Sequence, residues 1–168
     1  MKKEPLILTL LLDEQAHEYF TGLRNLHFPK HCNYLEAHLT LFHKLPAEKT
    51  IIPHTLKEIC KRETIALEVI GLKSMGTGVA FEIQSPELMK LRKTLQQKFS
   101  PYLITQDRQK LWPHITIQNK VTAFKASQTL ASLQKTFKPF TVAGLGIESW
   151  LYKDGPWEKL GEHRFFNP

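Results

Sequence analysis

The chain reads as an α+β or α/β protein of two lobes related by pseudo-twofold symmetry. Two observations predict this. Strand-like and helix-like patterns alternate through two comparable halves. Each half also holds one copy of a short motif, His38-Leu39-Thr40-Leu41 in the first and His114-Ile115-Thr116-Ile117 in the second. Each copy alternates polar and aliphatic residues with period two, as a half-buried strand does. Histidine and threonine then share one face and the aliphatic residues the other. If the two strands meet, the motifs line a common cleft.

The elements follow in order. Residues 5–12 (PLILTLLL) form an apolar run bounded by Pro and Asp, which fits a buried strand. Asp13 suits a helix N-cap, and residues 14–28 carry Ala16, Phe20, Leu23 and Leu26 or His27 near helical spacing until Pro29 stops the helix. A loop over 29–36 leads into the first motif strand, 37–43. Residues 49–64 predict a helix with Leu56, Ile59 and Cys60 on one face. Residues 65–73 and 79–84 predict a hairpin around the Gly-rich joint 74–78. Pro86 opens a helix whose Leu88, Leu91, Leu95 and Phe99 form a core stripe. A polar approach over 102–111 and Trp112-Pro113 lead into the second motif strand, 114–119. A helix over 121–137, a long strand over 140–152, a turn at 153–156 and a returning strand over 157–166 complete the chain.

Bulk properties bound the function. A chain of 168 residues suits one domain of two lobes. Its 42% hydrophobic and 23% charged residues are ordinary for a soluble globular protein. No run approaches a membrane span, and the first apolar run is too short for a signal peptide and lacks a cleavage site. Cys32 and Cys60 have no CxxC spacing, so neither a disulfide framework nor a zinc site is expected, and a reducing cytoplasm is the simplest setting. The net charge of +7 favours polyanionic partners, nucleic acid among them, although the basic residues are scattered. Nothing in the pattern demands an oligomer, so a monomer is expected.

Two histidines and two threonines in one cleft can handle a phosphate. Imidazole titrates near neutrality, so one ring can serve as general base while its twin serves as general acid. The hydroxyls can donate to non-bridging oxygens and stabilise charge on a pentacoordinate phosphorus. No metal is needed for this, and Asp13-Glu14, Glu36 and Glu68 lack ligand spacing. Phe42 and Gln118 continue the motif faces by period two, which makes them candidates for substrate binding, together with Trp112 and Tyr152. Core packing explains Phe42 equally well. Arg108 and Lys110 could hold phosphates or form a solvated face, and His43 stands out of phase with His38.

The stretches AHLTLFHKLP (37–46) and WPHITIQNK (112–120), with the tail SWLYKDGPWEKL (149–160), resemble the 2H phosphoesterase superfamily, and within it the bacterial 2′-5′ RNA ligase-like proteins. The resemblance covers nearly the whole chain. It implies a bilobal α+β, LigT-like fold with two antiparallel sheets lining a central cleft and helices outside. It also implies metal-free and cofactor-free chemistry on 2′,3′-cyclic phosphates or 2′-5′ links, with RNA ends or small cyclic nucleotides as substrates. His38, Thr40, His114 and Thr116 match its catalytic positions. The order it implies makes His114 the base and His38 the acid. A non-catalytic RNA- or nucleotide-binding module using the same cleft is the alternative, followed by a structural protein whose motifs never meet.

Overall fold

The computed structural model describes residues 3–168, and Met1 and Lys2 lie outside it. The elements are β1 (Pro5–Leu12), α1 (Glu14–His27), β2 (Leu39–Pro46), α2 (Ile51–Ile59), β3 (Ile65–Ser74), β4 (Val79–Gln84), α3 (Pro86–Lys98), α4 (Thr105–Arg108), β5 (His114–Gln118), α5 (Ala123–Gln134), β6 (Phe140–Tyr152) and β7 (Trp157–Arg164). Every strand pair is antiparallel, which makes the protein α+β. Among the described residues no helix is long and apolar enough to cross a membrane.

The strands form one seven-stranded sheet in the order β2-β1-β6-β3-β4-β5, with β7 paired to β6. The resemblance implies two sheets; a single long strand joins them. Residues 144–151 of β6 pair with β1, and residues 146–152 pair with β7. Residues 140–144 pair with β3. The halves β2-β1-β6-β7 and β6-β3-β4-β5 therefore share β6, and each ends in a motif strand. The sheet curls until these ends meet, with Cα atoms of β2 and β5 within 8 Å.

Local chemistry sets the element boundaries. Asp13 caps α1 by accepting from the Ala16 N–H at 2.9 Å, and its other oxygen accepts from the Ala143 N–H at 2.7 Å. Ser85 and Thr122 cap α3 and α5 by accepting from the Leu88 and Lys125 N–H groups. Caps of this kind are each worth about 1 kcal/mol. The β3–β4 turn needs glycine twice. Gly76 has φ +81°, and a Cβ at Gly78 would collide with the Gln118 carbonyl oxygen of β5. The α2 helix is shorter than the sequence pattern predicts, and the polar approach before β5 contains the one-turn α4.

The core fills the space between sheet and helices. Phe20 of α1 packs edge-on against Phe81 of β4 at 5.1 Å between ring centres. The expected stripe of α3 is buried as Leu88, Leu91, Leu95 and Phe99. In α1 the buried positions are Ala16, Phe20 and Arg24, while Leu26 is 73% exposed. An arginine thus occupies a place in the apolar stripe.

Candidate active site

The two motif strands carry the same irregularity at the same place. In β2, Thr9 of β1 faces Thr40 but Leu8 faces Phe42, so Leu41 is an extra residue. In β5, Ala80 of β4 faces Thr116 but Val79 faces Gln118, so Ile117 is extra. Each is a β-bulge, and a bulge breaks the period-two alternation. The histidine and threonine of each motif keep one half-buried face, with the aliphatic residues beneath. Beyond the bulge the phase reverses. Phe42 is fully buried, packed on the Phe99 ring at 5.7 Å and under the Arg92 guanidinium at 4.0 Å. Gln118 is also fully buried, and its amide N–H donates to the Thr129 hydroxyl at 2.8 Å. Both were candidates for substrate contact, and neither reaches the cleft.

The histidines are oriented alike. The Nδ1 of His38 lies 2.8 Å from the Glu36 carbonyl oxygen, and that of His114 lies 2.7 Å from the Trp112 carbonyl oxygen. A carbonyl only accepts, so Nδ1 carries the hydrogen in both rings and Nε2 is left as the reactive nitrogen. Each ring also rests on a tryptophan. Trp157 of β7 lies 4.6 Å from His38, and Trp112 is stacked on His114 at 4.1 Å. The Trp112 indole N–H donates to Glu82, which also pairs with Lys73.

Burial pushes His38 down to about 4, and the Arg24, His114 and His43 charges add to this against its carbonyl bond. Burial also lowers His114; the Trp112 carbonyl opposes this, and the His43 charge reinforces it. In the resting site both imidazoles are neutral at pH 7, His38 the more firmly. An arriving phosphate anion favours a proton on one of them. The two rings sit on strands whose Cα atoms come within 8 Å of each other.

Two buried arginines hold the motif strands from below. Arg24 of α1 donates to the Thr116 carbonyl at 3.1 Å and to Asn33 at 2.9 Å, lying 4.1 Å over the Phe28 ring. Arg92 of α3 donates to the Leu41 carbonyl at 2.6 Å and to the Asp107 carbonyl at 2.9 Å. Each reaches from one half to the bulge in the other half's strand. Bulges leave ladder groups unpaired, and a buried carbonyl without a donor costs about 1–3 kcal/mol. Burial lowers both guanidinium pKa values, that of Arg24 to about 10, so each still carries its charge at pH 7. The Arg24 charge also adds positive potential beneath His38.

The hydroxyls differ. Thr116 donates to the Met75 sulfur at 3.4 Å, a weak bond that a phosphate oxygen can replace. Thr40 makes no side-chain hydrogen bond among the described residues. Beside His38 a cavity of about 430 Å³ is lined by Tyr34, Glu36, Trp150 and Trp157 among others, a size suited to a nucleotide. Its His17 pairs with Glu36 at 2.9 Å, a partner the sequence pattern did not indicate.

Of the other candidates, Trp112 is 38% exposed on the His114 ring, and Tyr152 is 37% exposed in a groove with Trp157 and His43. Arg108 turns back onto the Leu103 carbonyl, and Lys110 lies over α3 beside Lys90 and Lys93. Sequence reasoning missed Arg24, Arg92, Trp157 and the His43–Asp107 pair. Only Trp157 carried a signal, as an aromatic residue within the tail that contributed to the family resemblance.

The description 2′-5′ RNA ligase superfamily belongs to a family model that matches residues 12–155. No curated protein matches the chain. Among solved structures, TT0787 of Thermus thermophilus is similar with a TM-score of 0.68 and 14% identity, over 97% of this chain and 98% of that one. Escherichia coli LigT in complex with 3′-AMP is similar with a TM-score of 0.61 and 15% identity, over 99% and 100%. At these identities the likeness speaks to the fold.

Proposed function

The chain belongs to the 2′-5′ RNA ligase superfamily, the 2H phosphoesterases, and from that premise we propose that it is a phosphodiesterase. Its substrates are 2′,3′-cyclic phosphates at RNA ends or on small nucleotides, and its products are 2′-phosphates. The observation that carries the reading is the matched pinning of His38 and His114, each by the carbonyl two residues before it, which leaves both Nε2 atoms free on two strands whose Cα atoms come within 8 Å. The 3′-AMP held by Escherichia coli LigT, a nucleotide phosphorylated on a ribose secondary hydroxyl, is consistent with this substrate class.

One imidazole takes a proton from water as the water oxygen bonds to phosphorus. The other gives its proton to the 3′-oxygen as the P–O3′ bond breaks. The Thr40 and Thr116 hydroxyls donate to the non-bridging oxygens, Thr116 exchanging its sulfur contact for the phosphate. Arg24 supplies fixed positive potential below. In the ligase direction a 5′-hydroxyl attacks in place of water. The family resemblance makes His114 the base. The resting electrostatics suit the reverse: His38 is the ring more fully in the unprotonated form that a base needs, although a weaker base for it, while His114 more easily holds the acid's proton.

The test is to incubate the protein with a nucleoside 2′,3′-cyclic phosphate and with RNA ending in one, and to follow the 2′-phosphate product. Turnover that collapses in His38→Ala and in His114→Ala supports the reading. Absence of turnover on both substrates, with binding intact, replaces it with a nucleotide-binding module.

A further inference from the structure

β2 carries a second irregularity just past its bulge. Leu6 of β1 faces Leu45 and Leu8 faces Phe42, so His43 and Lys44 together stand opposite Ile7. Both residues turn outward, and their N–H groups leave the ladder. The receiving group is the carboxylate of Asp107 in α4, which is fully buried. Asp107 accepts from the His43 N–H at 2.9 and 3.0 Å and from the Lys44 N–H at 3.0 Å. It also accepts from the His43 ring Nδ1 at 3.0 Å. Burial pushes Asp107 up, but these bonds outweigh it and hold the carboxylate ionised.

An ionised, fully buried carboxylate is costly to maintain. What it fixes is the direction of one ring: with Nδ1 held, His43 presents Nε2 outward from a side chain that is 40% exposed. The ring looks into the groove that also contains Lys44, Tyr152 and Trp157. Lys44 is exposed beside it. The groove is also lined by Lys3, by Glu4, which pairs with Lys153 at 2.7 Å, and by Asp154. Trp157 lines both this groove and the cavity beside His38, so the two spaces adjoin at that residue. A lysine and a histidine beside flat aromatic rings are what single-stranded nucleic acid binds: phosphate to the nitrogen groups, base to the rings.

We propose that this groove holds the internucleotide phosphate and the nucleoside preceding the reacting end, so that the substrate is an RNA 3′ end of two or more nucleotides rather than a lone nucleotide. His43 and Lys44 take the phosphate, Tyr152 and Trp157 the base, and Asp107 is a positioning residue for His43. This rests on the cyclic phosphodiesterase reading for the identity of the reacting end.

The test measures binding of reaction products, which needs no turnover. Calorimetric titrations compare a dinucleotide ending in a 2′-phosphate with the mononucleoside 2′-phosphate. In the unaltered protein the dinucleotide binds about tenfold tighter or better, as one stacked base and one phosphate would give. In His43→Gln and in Lys44→Ala that ratio falls severalfold, and in Asp107→Asn it falls with His43 still present. Circular dichroism checks each variant, and the two surface substitutions carry the test if Asp107→Asn unfolds. Equal affinity for the two ligands in the unaltered protein overturns the proposal, as does a ratio unchanged in both surface variants. Turnover assays on cyclic ends are read separately. Their failure alongside a dinucleotide preference removes the catalytic reading and leaves the groove standing.

Discussion

The two motif strands begin as copies and diverge after the bulge. Up to the threonine they match: Nδ1 on the carbonyl two residues back, a tryptophan against the ring, an aliphatic underside, an arginine from the other half at the bulge. After it they part. The first strand sends His43 outward onto a buried carboxylate. The second has Asn119 at the corresponding position, whose side-chain oxygen accepts from the Thr77 hydroxyl at 2.9 Å and ties the β3–β4 turn to β5. One copy is elaborated toward solvent and the other toward the scaffold. In the proposed reaction the chemistry is assigned to what is duplicated, and the proposed preference for longer ends to what is not.

The largest effect expected is on the duplicated part. His38→Ala and His114→Ala should each lower turnover of a 2′,3′-cyclic phosphate by roughly 10²–10⁴-fold, the usual contribution of a positioned acid or base. With a p-nitrophenyl leaving group, which needs no protonation, only the variant lacking the acid should recover. Recovery in His114→Ala supports the electrostatic order, and recovery in His38→Ala restores the order implied by the family.

The next effect separates the two rings by pH. His38 is held at about 4 against an ordinary 6.5, so protons bind the unfolded chain more readily than the folded one. Its contribution to stability is complete above pH 6.5 and is lost progressively as the pH falls toward 4. At about 1.4 kcal/mol per pKa unit the loss is at most about 3.5 kcal/mol. Denaturant titrations should find a flatter dependence in His38→Gln. The residual slope belongs to His114, His27 and His163, which burial also holds below the ordinary value, and toward pH 4 to carboxylates such as Asp107 and Glu82 that their partners hold down.

Replacing the clasping arginines should come third. Arg24→Met and Arg92→Met each leave a buried carbonyl without its donor and should cost about 1–3 kcal/mol in chemical denaturation. Their effects on the site should differ. Removing the Arg24 charge lets the His38 pKa rise, moving the acid limb of kcat/KM to higher pH, while Arg92→Met should leave that limb in place. The smallest effect is at Met75. Met75→Leu removes a weak acceptor from Thr116, and turnover should change by no more than about twofold, since a thioether is a poor hydrogen-bond partner.

Much of the scaffold was legible because it follows local rules. Asp13, Pro86 and the α3 stripe marked helices by capping, helix-start preference and period. The 5–12 run and the 140–152 strand were visible by composition. The four motif residues were legible by period two up to the threonine. Phe42 and Gln118 were misplaced because bulges are set by partner strands and leave no local mark. Arg24 and Arg92 were overlooked because an arginine in a helix is ordinarily a surface residue; only tertiary contact reveals that each replaces a ladder donor. Asp107 sat in a stretch read as polar approach, and its burial depends on the outward turn of His43 and Lys44. The join of two expected sheets followed from the length of β6, which was readable, and from its sharing of partners, which was not.

That shared strand has a mechanical consequence. The two motif imidazoles stand at opposite ends of a curled ribbon whose spine is β6. Their separation is therefore written into the ribbon's curvature as well as into the contacts beneath each ring. A substitution that flattens or tightens the twist of β6, such as one at Gly144 or Gly146 where β1 and β7 press against it, would be transmitted to both ends at once. It would alter the gap a phosphate must bridge without touching either histidine.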